Sequence, residues 1–357
     1  MRIDGSYWDY SYDAKGQVTG GIKKDASGNA IPGQSFGYVY DGIGNRLTET
    51  RGVTENLITY TPNQLNQYTQ RLFKGAVPIM GEADVDATVK AIRNDTDVIY
   101  PKRAITADRD GKYFEAVFYT DNAVSGKVVP YAVYAIKHDS QLNKNLVEKK
   151  TGSYTVPKAV ESFTYDLDGN MLTDGKWTYT WDGENRLLTA TSATQKLEFA
   201  YDYQSRRVSK KVYTGSPGSW TLSKTEKFVY DGFYQIASFD GGNVLQKSYL
   251  RNGDKLLAMT DHINAANYFY IIDGNKNVMA LVDATGTIQA EYTYDIFGRI
   301  IGKTGDKAAL NPFRFSSEFY DDETNLVYFF ASSLEFVGKE KAGGDIRTRH
   351  QSSGNPA

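Results

Sequence analysis

Aromatic residues at alternate positions, each pair ending in an aspartate, recur along the chain. In the stretch 163–188, Phe163 and Tyr165 lie two apart, and so do Tyr179 and Trp181. Residues two apart on an extended chain point to one face, so each pair predicts a half-buried β-strand. A short polar run and a second apolar pair follow each aspartate, and this pattern predicts a β-hairpin.

An aspartate stands at the first position of each predicted turn, and we call it, with the four residues that follow, a corner. Its carboxylate can accept backbone N–H groups, while glycine or asparagine supplies the positive φ that closes the turn. Paired catalytic carboxylates are the alternative, but catalysis requires one special pair whereas every turn requires its aspartate. Asp273-Gly274-Asn275 is a degenerate ninth copy. We therefore predict a structural turn role for eight aspartates: Asp13, Asp41, Asp166, Asp182, Asp202, Asp231, Asp295 and Asp321.

The repeated hairpins predict an all-β fold. A single hairpin cannot bury a face alone, so the hairpins should add side by side. We expect one continuous curled sheet, a partial β-shell, made of residues 1–74 and 158–330. The composition agrees with many short strands and tight turns, since the chain has 27 Tyr and 33 Gly.

The series of corners is interrupted between Asp41 and Asp166. Within this gap, period-two alternation in ADVDATVKA and several β-branched runs bounded by prolines predict short strands. We interpret residues 75–157 as an inserted β-sandwich domain of immunoglobulin-like type. The last stretch, residues 331–357, has few apolar residues and is predicted to be disordered.

Charge and residue types argue against several classes of function. The 41 basic and 43 acidic side chains give a net charge of −2, so no long-range field attracts nucleic acid or an anionic membrane. Cysteine is absent, and His138, His262 and His350 lie far apart in the sequence. We therefore expect no catalytic residue, no metal site and no cofactor. The sequence shows neither a signal peptide nor a transmembrane segment, which leaves the localisation open.

Two local patterns permit a functional and a structural interpretation. The acidic run Asp321-Asp322-Glu323 could bind calcium, but it lacks the alternating spacing of calcium loops, so a solvated turn is favoured. Arg314 lies between Phe313 and Phe315, an interleaving that could stack single-stranded nucleic acid. The same alternation is that of an ordinary strand with its aromatics on one face, and we favour this interpretation.

The ordered series of corners resembles the RHS/YD-repeat family over residues 1–74 and 158–330. The resemblance implies a hollow β-shell of a bacterial polymorphic toxin, secreted or at the cell surface, that can enclose a variable carboxy-terminal toxin. In that family, aspartates of the core cut the toxin free. After Tyr328 the chain departs from the family's Arg-Tyr-Tyr pattern, and it has no Asp-Pro dipeptide, so we carry over the shell and not this self-cleavage. The matching motifs are Gly44-Asn45-Arg46-Leu47, Asn185-Arg186-Leu187, the start of an RHS-associated core at 273–298, the run 311–317 and the run 320–324.

We therefore expect a structural shell fragment that is not an enzyme. Its partner would be a polypeptide cargo or missing RHS repeats, without nucleic acid and without insertion into a membrane. Because the chain starts within a repeat, the shell should be incomplete and associate through unpaired edges. The alternative is a cell-surface module that binds carbohydrate or protein through the insert or through Trp8, Trp177 and Trp220.

Overall fold

The computed structural model describes residues 5–52, 57–94 and 104–329. Within these ranges the chain forms thirty β-strands, numbered β1 to β30 along the sequence, and no α-helix. The predicted all-β fold class is therefore confirmed. The chain divides into two compact units, one ending at Ser162 and the other starting at Phe163, and each is described by itself. None of the described residues forms a helix that is long and apolar enough to cross a membrane.

The first unit contains a seven-stranded antiparallel sheet of hairpin repeats. Its last strand pairs with the sixth, Val160 opposite Leu72, so the chain that leaves this sheet after residue 73 rejoins it at the neighbouring position. Arg71 and Glu161 form an ion pair across the same two strands. The strands, in sheet order, are β1 (Tyr7–Tyr12), β2 (Val18–Lys24), β3 (Ala30–Tyr40), β4 (Arg46–Arg51), β5 (Leu57–Pro62), β6 (Tyr68–Phe73) and β14 (Val160–Ser162).

Between β6 and β14 the chain forms two further sheets. Val89 and Ala91 are buried in one of them, and Ile79 and Phe114 in the other, because alternate positions of each strand face inward. An independent immunoglobulin-like domain over 75–157 stays a prediction, and the predicted tail 331–357 lies outside the described residues. The three-stranded sheet contains β7 (Ala76–Glu82), β10 (Asp108–Asp110) and β11 (Tyr113–Tyr119), and the four-stranded sheet contains β8 (Thr88–Arg93), β9 (Ala104–Thr106), β12 (Lys127–Asp139) and β13 (Lys144–Val156).

The second unit is dominated by one fourteen-stranded sheet in which every strand pairs antiparallel with its neighbour in sequence. This order is what a series of hairpins produces when each is added beside the previous one. The strands are β15 (Thr164–Tyr165), β16 (Met171–Thr173), β17 (Thr178–Trp181), β18 (Leu187–Thr191), β19 (Gln195–Tyr201), β20 (Arg207–Ser216), β21 (Ser219–Asp231), β22 (Tyr234–Asp240), β23 (Leu245–Asn252), β24 (Lys255–Asp261), β25 (Ala266–Ile272), β26 (Val278–Val282), β27 (Ile288–Tyr294) and β28 (Ile300–Thr304).

The expectation of one continuous sheet over 1–74 and 158–330 is wrong. The repeats form a seven-stranded and a fourteen-stranded sheet, and the change occurs within a single extended stretch. Its first part, β14, pairs with β6, and its second part, β15, pairs with β16, because the strand is interrupted at Phe163.

The segment 305–328 packs on one face of the fourteen-stranded sheet. It contains a short 3-10 turn at Phe315–Ser317 and a hairpin of β29 (Phe319–Asp321) and β30 (Leu326–Tyr328). Phe313 meets the Tyr249 ring edge-on, with the ring centroids 4.8 Å apart, and Phe319 meets Phe228 at 5.3 Å. The aromatic face of the sheet and the aromatics of this segment therefore share one hydrophobic core.

Candidate functional site

The corners share one hydrogen-bond pattern, which the corner at Asp182 illustrates. The Asp182 carboxylate accepts the backbone N–H of Glu184 at 2.9 Å and that of Arg186 at 3.0 Å. Asn185 closes the turn with a φ of 60°. The turn thus has one left-handed residue and shifts the strand register by one, as in a hairpin with a bulge. The same pattern of two bonds to the carboxylate occurs at Asp13, Asp41, Asp166, Asp202 and Asp295.

The carboxylates of Asp182 and Asp202 remain ionised because they are well supplied with donors. Burial by itself would raise the pKa of Asp182, but the N–H groups and the guanidinium of Arg186 outweigh this and lower it. The pKa of Asp202 is lowered in the same way by Arg206. A carboxylate that accepts hydrogen bonds within its own turn has a structural role.

Several corners with the same geometry were missed by the sequence analysis. Asn63 accepts the N–H groups of Leu65 and Gln67, although a proline precedes it. The corners at Asp25, Asn63 and Asp283 lack the aromatic residue before the Asx residue, which was the signal used, whereas Asp240 follows Phe239 and was overlooked. The better signal is Asp or Asn followed three residues later by a residue with positive φ, as at Gly28, Asn66, Asn243 and Gly286. The missed corners start at Asp25, Asn63, Asp240 and Asp283, and the degenerate copy at Asp273 has the same pattern.

Successive corners are linked to one another through long polar side chains. Arg206 binds its own Asp202 at 2.7 Å, lies over the ring of Tyr230 at 5.5 Å and donates to the carbonyl oxygen of Gly232 at 2.6 Å. Arg186 repeats this arrangement one corner earlier, over Tyr201. A guanidinium suits this position because it offers several donors in a plane that also stacks on an aromatic ring.

The aromatic residue before the corner aspartate also has a repeated role. The hydroxyl of Tyr201 donates to the carbonyl oxygen of Leu187 at 2.9 Å, and that of Tyr230 donates to Arg207 O at 2.8 Å. Tyrosine therefore supplies both a ring for the apolar face and a donor for a main-chain oxygen of an earlier strand. Tyr40, Tyr294 and the indole of Trp181 make equivalent bonds to Val18, Val278 and Met171.

Two predicted corner aspartates differ from the others. Asp231 lies opposite Tyr234 at the end of β21, so only two residues connect the strands and the longer turn is missing. The prediction of a turn carboxylate is corrected for Asp321, whose side chain is 1% exposed and turned into the core. Asp321 stands at the end of β29, directly before the turn, but its carboxylate accepts from Arg207 and Lys210 of β20.

Asp321 is the centre of a buried ion cluster that consists of Arg207, Lys210, Asp321 and Glu323. Arg207 Nη1 lies 2.6 Å from Asp321 Oδ2, and Lys210 Nζ lies 2.7 Å from both Asp321 Oδ1 and Glu323 Oε2. The side chains of Arg207 and Lys210 are 2% and 3% exposed. Such buried charges are tolerated only when they are paired, and here the two cations face Asp321 and Glu323, with Glu226 Oε2 a further 3.7 Å from Lys210 Nζ.

Arg207, Lys210 and Asp321 stay charged. Burial would raise the pKa of Asp321, but Arg207 and Lys210 outweigh it and hold the pKa below its ordinary value. Burial would lower the pKa of Lys210, yet Asp321 and Glu323 raise it above its ordinary value. These groups thus do not exchange protons near neutral pH, and the arrangement is suited to anchoring the segment 305–328 on the sheet.

Aromatic rings surround the guanidinium of Arg207. Its Cζ lies 4.4 Å from the ring centroid of Tyr328 and 4.8 Å from that of Phe319, and rings of β19 and β21 also face it. The Tyr328 hydroxyl also accepts the backbone N–H of Arg207 at 3.0 Å. Cation–π contacts therefore add to the ion pair where the segment is held.

The favoured interpretation of the acidic run 321–323 as a solvated turn holds only in part, because Asp322 is exposed in the turn between β29 and β30 whereas Asp321 is buried. Each carboxylate is paired with a cation from elsewhere in the chain, Asp322 with Arg314 at 2.7 and 2.8 Å. Among the described residues, no group of three or more His, Cys, Asp or Glu side chains could hold a metal ion. The run therefore combines a buried carboxylate, Asp321, with an exposed turn at Asp322.

The predicted strand around Arg314 is also wrong. Phe315–Ser317 is a 3-10 turn, and Arg314 is fully buried between the rings of Tyr292 and Tyr320 instead of facing outward. Burial and the charge of Arg314 act on the Tyr320 hydroxyl in opposite senses, and the net effect raises its pKa to about 12. The alternation of residue types could not reveal this, because the partner of Arg314, Asp322, lies in the turn between β29 and β30.

The three tryptophans proposed as a carbohydrate surface differ in exposure. Trp177 is 1% exposed and belongs to the hydrophobic core of the second unit, so it offers no ring face to a sugar. Trp8 and Trp220 are partly exposed. His138 and His262 bind Asn145 and Ser248, respectively, and His350 lies outside the described residues.

Comparison with known proteins gives relatives of bacterial origin. The chain is 32% identical over 182 residues to the tRNA3(Ser)-specific nuclease WapA of Bacillus spizizenii, and 32% identical over 181 residues to the tRNA nuclease WapA of Bacillus subtilis strain 168. Each match covers 49% of this chain and 7% of the relative. The expectation that the protein is not an enzyme is contradicted by these relatives, since each is named as a nuclease that acts on tRNA.

Two similar solved structures are those of complexes that contain TcdB2 and TccC3. The crystal structure of TcdB2-TccC3 matches with a TM-score of 0.39 and 12% identity, covering 93% of this chain and 17% of that one. The structure of TcdB2-TccC3-Cdc42 matches with a TM-score of 0.38 and 13% identity, over 93% of this chain and 17% of that one.

The match to a family model is broader than the matches to single relatives. The family described as the Teneurin YD-shell matches residues 135–334, more than half of the chain. These residues include the fourteen-stranded sheet, its corners and the buried ion cluster. The resemblance to RHS/YD-repeat proteins is thereby confirmed, and the chain belongs to the YD-shell family.

Proposed function

We propose that this chain is a shell-forming scaffold that belongs to a nuclease that cleaves tRNA. The observation that carries the proposal is the 32% identity over half of the chain to relatives that are each named as tRNA nucleases. The chain spans only 7% of the length of those relatives, so the cleavage belongs to the proposal for the whole protein.

The fold supports the scaffold part of this proposal. Fourteen strands added in sequence order offer one long face, and the segment 305–328 is bound on it by aromatic packing and by the buried ion cluster. Pulling this segment off the sheet would separate charges that lie 2.6 to 2.7 Å apart in a dry environment. In our proposal the segment is the anchor by which the shell holds a polypeptide cargo.

The proposal of tRNA as the substrate differs from the expectation that the protein has no nucleic acid partner. A net charge of −2 provides no long-range attraction for a polyanion, so the shell itself would not gather tRNA by its overall field. Recognition would instead rest on contacts at close range, which suits an enzyme that selects one tRNA among many.

The test is cleavage of tRNA by the protein expressed from the complete gene that encodes this chain. The purified protein is incubated with total tRNA, and with 5S ribosomal RNA and duplex DNA as controls, and the products are separated on a denaturing gel. We expect discrete tRNA fragments and intact controls. Intact tRNA in the presence of protein whose circular dichroism shows the folded β structure would refute the nuclease proposal.

A further inference from the structure

β13 is a long edge strand with unusual exposure on both faces. It is the outermost strand of its four-stranded sheet, and its residues from Lys144 to Thr151 are all exposed. On one side it pairs with β12 from Lys144 opposite Asp139 to Val156 opposite Lys127. In an antiparallel pair, alternate residues point their N–H and C=O groups away from the partner, so the outer side of β13 offers a row of these groups.

The β12–β13 ladder also lacks two of the features that normally protect an edge, a bulge and a proline. The pairing runs without a register shift, whereas corner hairpins such as those of β17–β18 and β19–β20 contain a bulge. Proline is absent from β13, and a straight unbulged edge is a template for another strand. Three lysines, Lys144, Lys149 and Lys150, disfavour indiscriminate pairing, so a partner must match their charge.

The charges of β13 are complementary to a second copy of the same strand. Glu148 and Lys150 lie on one face of the strand, with side chains 70% and 81% exposed, and contact each other at 3.4 Å within one chain. If two copies pair antiparallel with Lys149 opposite Lys149, each Glu148 lies opposite Lys150 of the other copy. The same register overlaps nearly the whole strand and sets Lys144 opposite Tyr154, a cation beside an aromatic ring.

We propose that β13 is a homodimer interface, in which two copies of the chain pair edge to edge and join their four-stranded sheets into one. The contact is a two-fold one, in which the same surface serves both partners. It consists of main-chain hydrogen bonds between the two copies of β13, and two Glu148–Lys150 pairs set the register. Recognition by adding a strand to the edge of a sheet works in this way. The Lys149 pair on the opposite face is the one repulsive element and limits the affinity.

Charge reversal tests the proposal on the whole chain. Glu148→Lys places lysine opposite lysine twice, and Lys150→Glu places two carboxylates opposite each other. Sedimentation velocity should show a wild-type dimer that either single variant weakens roughly tenfold, about 1.4 kcal/mol. The double variant E148K/K150E restores both pairs with reversed polarity and should regain the wild-type affinity. Glu184→Lys, the same change at an exposed corner of the second unit, is the matched control and should dimerise like the wild type.

Two further measurements decide the register. Lys149→Thr removes the repulsive pair and should strengthen the dimer, and hydrogen exchange of alternate β13 amides should slow with protein concentration. A monomeric wild type, single variants that dimerise like the wild type, or a double variant as weak as the singles would overturn the proposal. The return of affinity in the double variant also separates lost pairing from lost folding.

Discussion

Arg207 and Asp321 are 114 residues apart in sequence, and yet their side chains meet at 2.6 Å in the core of the second unit. Arg207 begins β20, and Asp321 ends β29 in the segment 305–328. The ion pair therefore holds the segment that follows the fourteen-stranded sheet against a strand in the middle of that sheet.

Asp321→Asn should strongly destabilise the second unit. The change leaves the buried Arg207 without its anion and Lys210 with one carboxylate fewer, and breaking a buried pair on one side costs about 3 kcal/mol. Urea unfolding of the wild type and the variant measures the difference in free energy. Asp254→Asn, which removes an exposed carboxylate paired with Lys276, is the control and should leave the midpoint unchanged. Equal midpoints for all three proteins would contradict the anchoring role of the cluster.

The same pair predicts a loss of stability in acid. The pKa of Asp321 is below the ordinary value of 3.8 in the folded protein, so its contribution is complete above that value. It is lost as the pH falls through the folded pKa, because the carboxylate must then be protonated in both states. Thermal unfolding between pH 5 and pH 2 should show a steeper decrease for the wild type than for Asp321→Asn. Parallel curves would exclude Asp321 as the titrating group.

Glu115 predicts the opposite dependence on pH in the first unit. Burial, together with Asp108 directly opposite in the ladder, raises the pKa of Glu115 from 4.5 to about 7. The folded protein then holds a proton that the unfolded chain has lost, so stability should fall as the pH rises from 4.5 to about 7 and stay constant above. Glu115→Gln should remove this slope and stabilise the protein at pH 8. Glu82→Gln, at an exposed carboxylate of β7, should keep the slope, and a slope that survives Glu115→Gln would refute the assignment.

A corner carboxylate should matter less than the buried one. Asp182→Ala removes the acceptor for two backbone N–H groups of a partly exposed turn and should cost about 1 kcal/mol. Asp182→Asn keeps the acceptor oxygen, as the natural corner at Asn63 does, and should cost less than the alanine variant. Chemical denaturation with the three proteins side by side provides the comparison. If the asparagine variant were as unstable as the alanine variant, the loss in free energy of unfolding would come from the lost charge and not from the turn hydrogen bonds.

The tyrosine before a corner should contribute through its hydroxyl. Tyr201→Phe leaves the carbonyl oxygen of Leu187 without this donor and should cost about 1 kcal/mol. Tyr203→Phe, two residues later and 88% exposed, is the matched control and should be neutral. The difference in melting temperature between the two variants measures the bond. If both variants melt with the wild type, the hydroxyl bond does not contribute to stability.

The corners could be predicted from the sequence because their hydrogen bonds are local. The features that could not be predicted depend on contacts between residues that are distant in the sequence. Asp182 and Asp321 stand in the same aromatic-aspartate pattern, but only the first has its partners within four residues. The partner of Asp321 comes from β20, and no periodicity in the sequence identifies it. Arg314 was misjudged for the same reason, since its burial depends on Asp322 and on rings from other strands. The enzymatic role of the relatives was equally invisible, because it is not encoded in turn chemistry.

Several links between successive corners end on main-chain oxygens. Arg206 reaches the carbonyl of Gly232, Tyr201 reaches that of Leu187, and Tyr230 reaches that of Arg207. Every residue carries such an oxygen, so a neighbouring repeat can change its side chains without losing its half of the contact. Repeats of this kind can therefore diverge independently, be duplicated or be exchanged between genes while the joint between them survives.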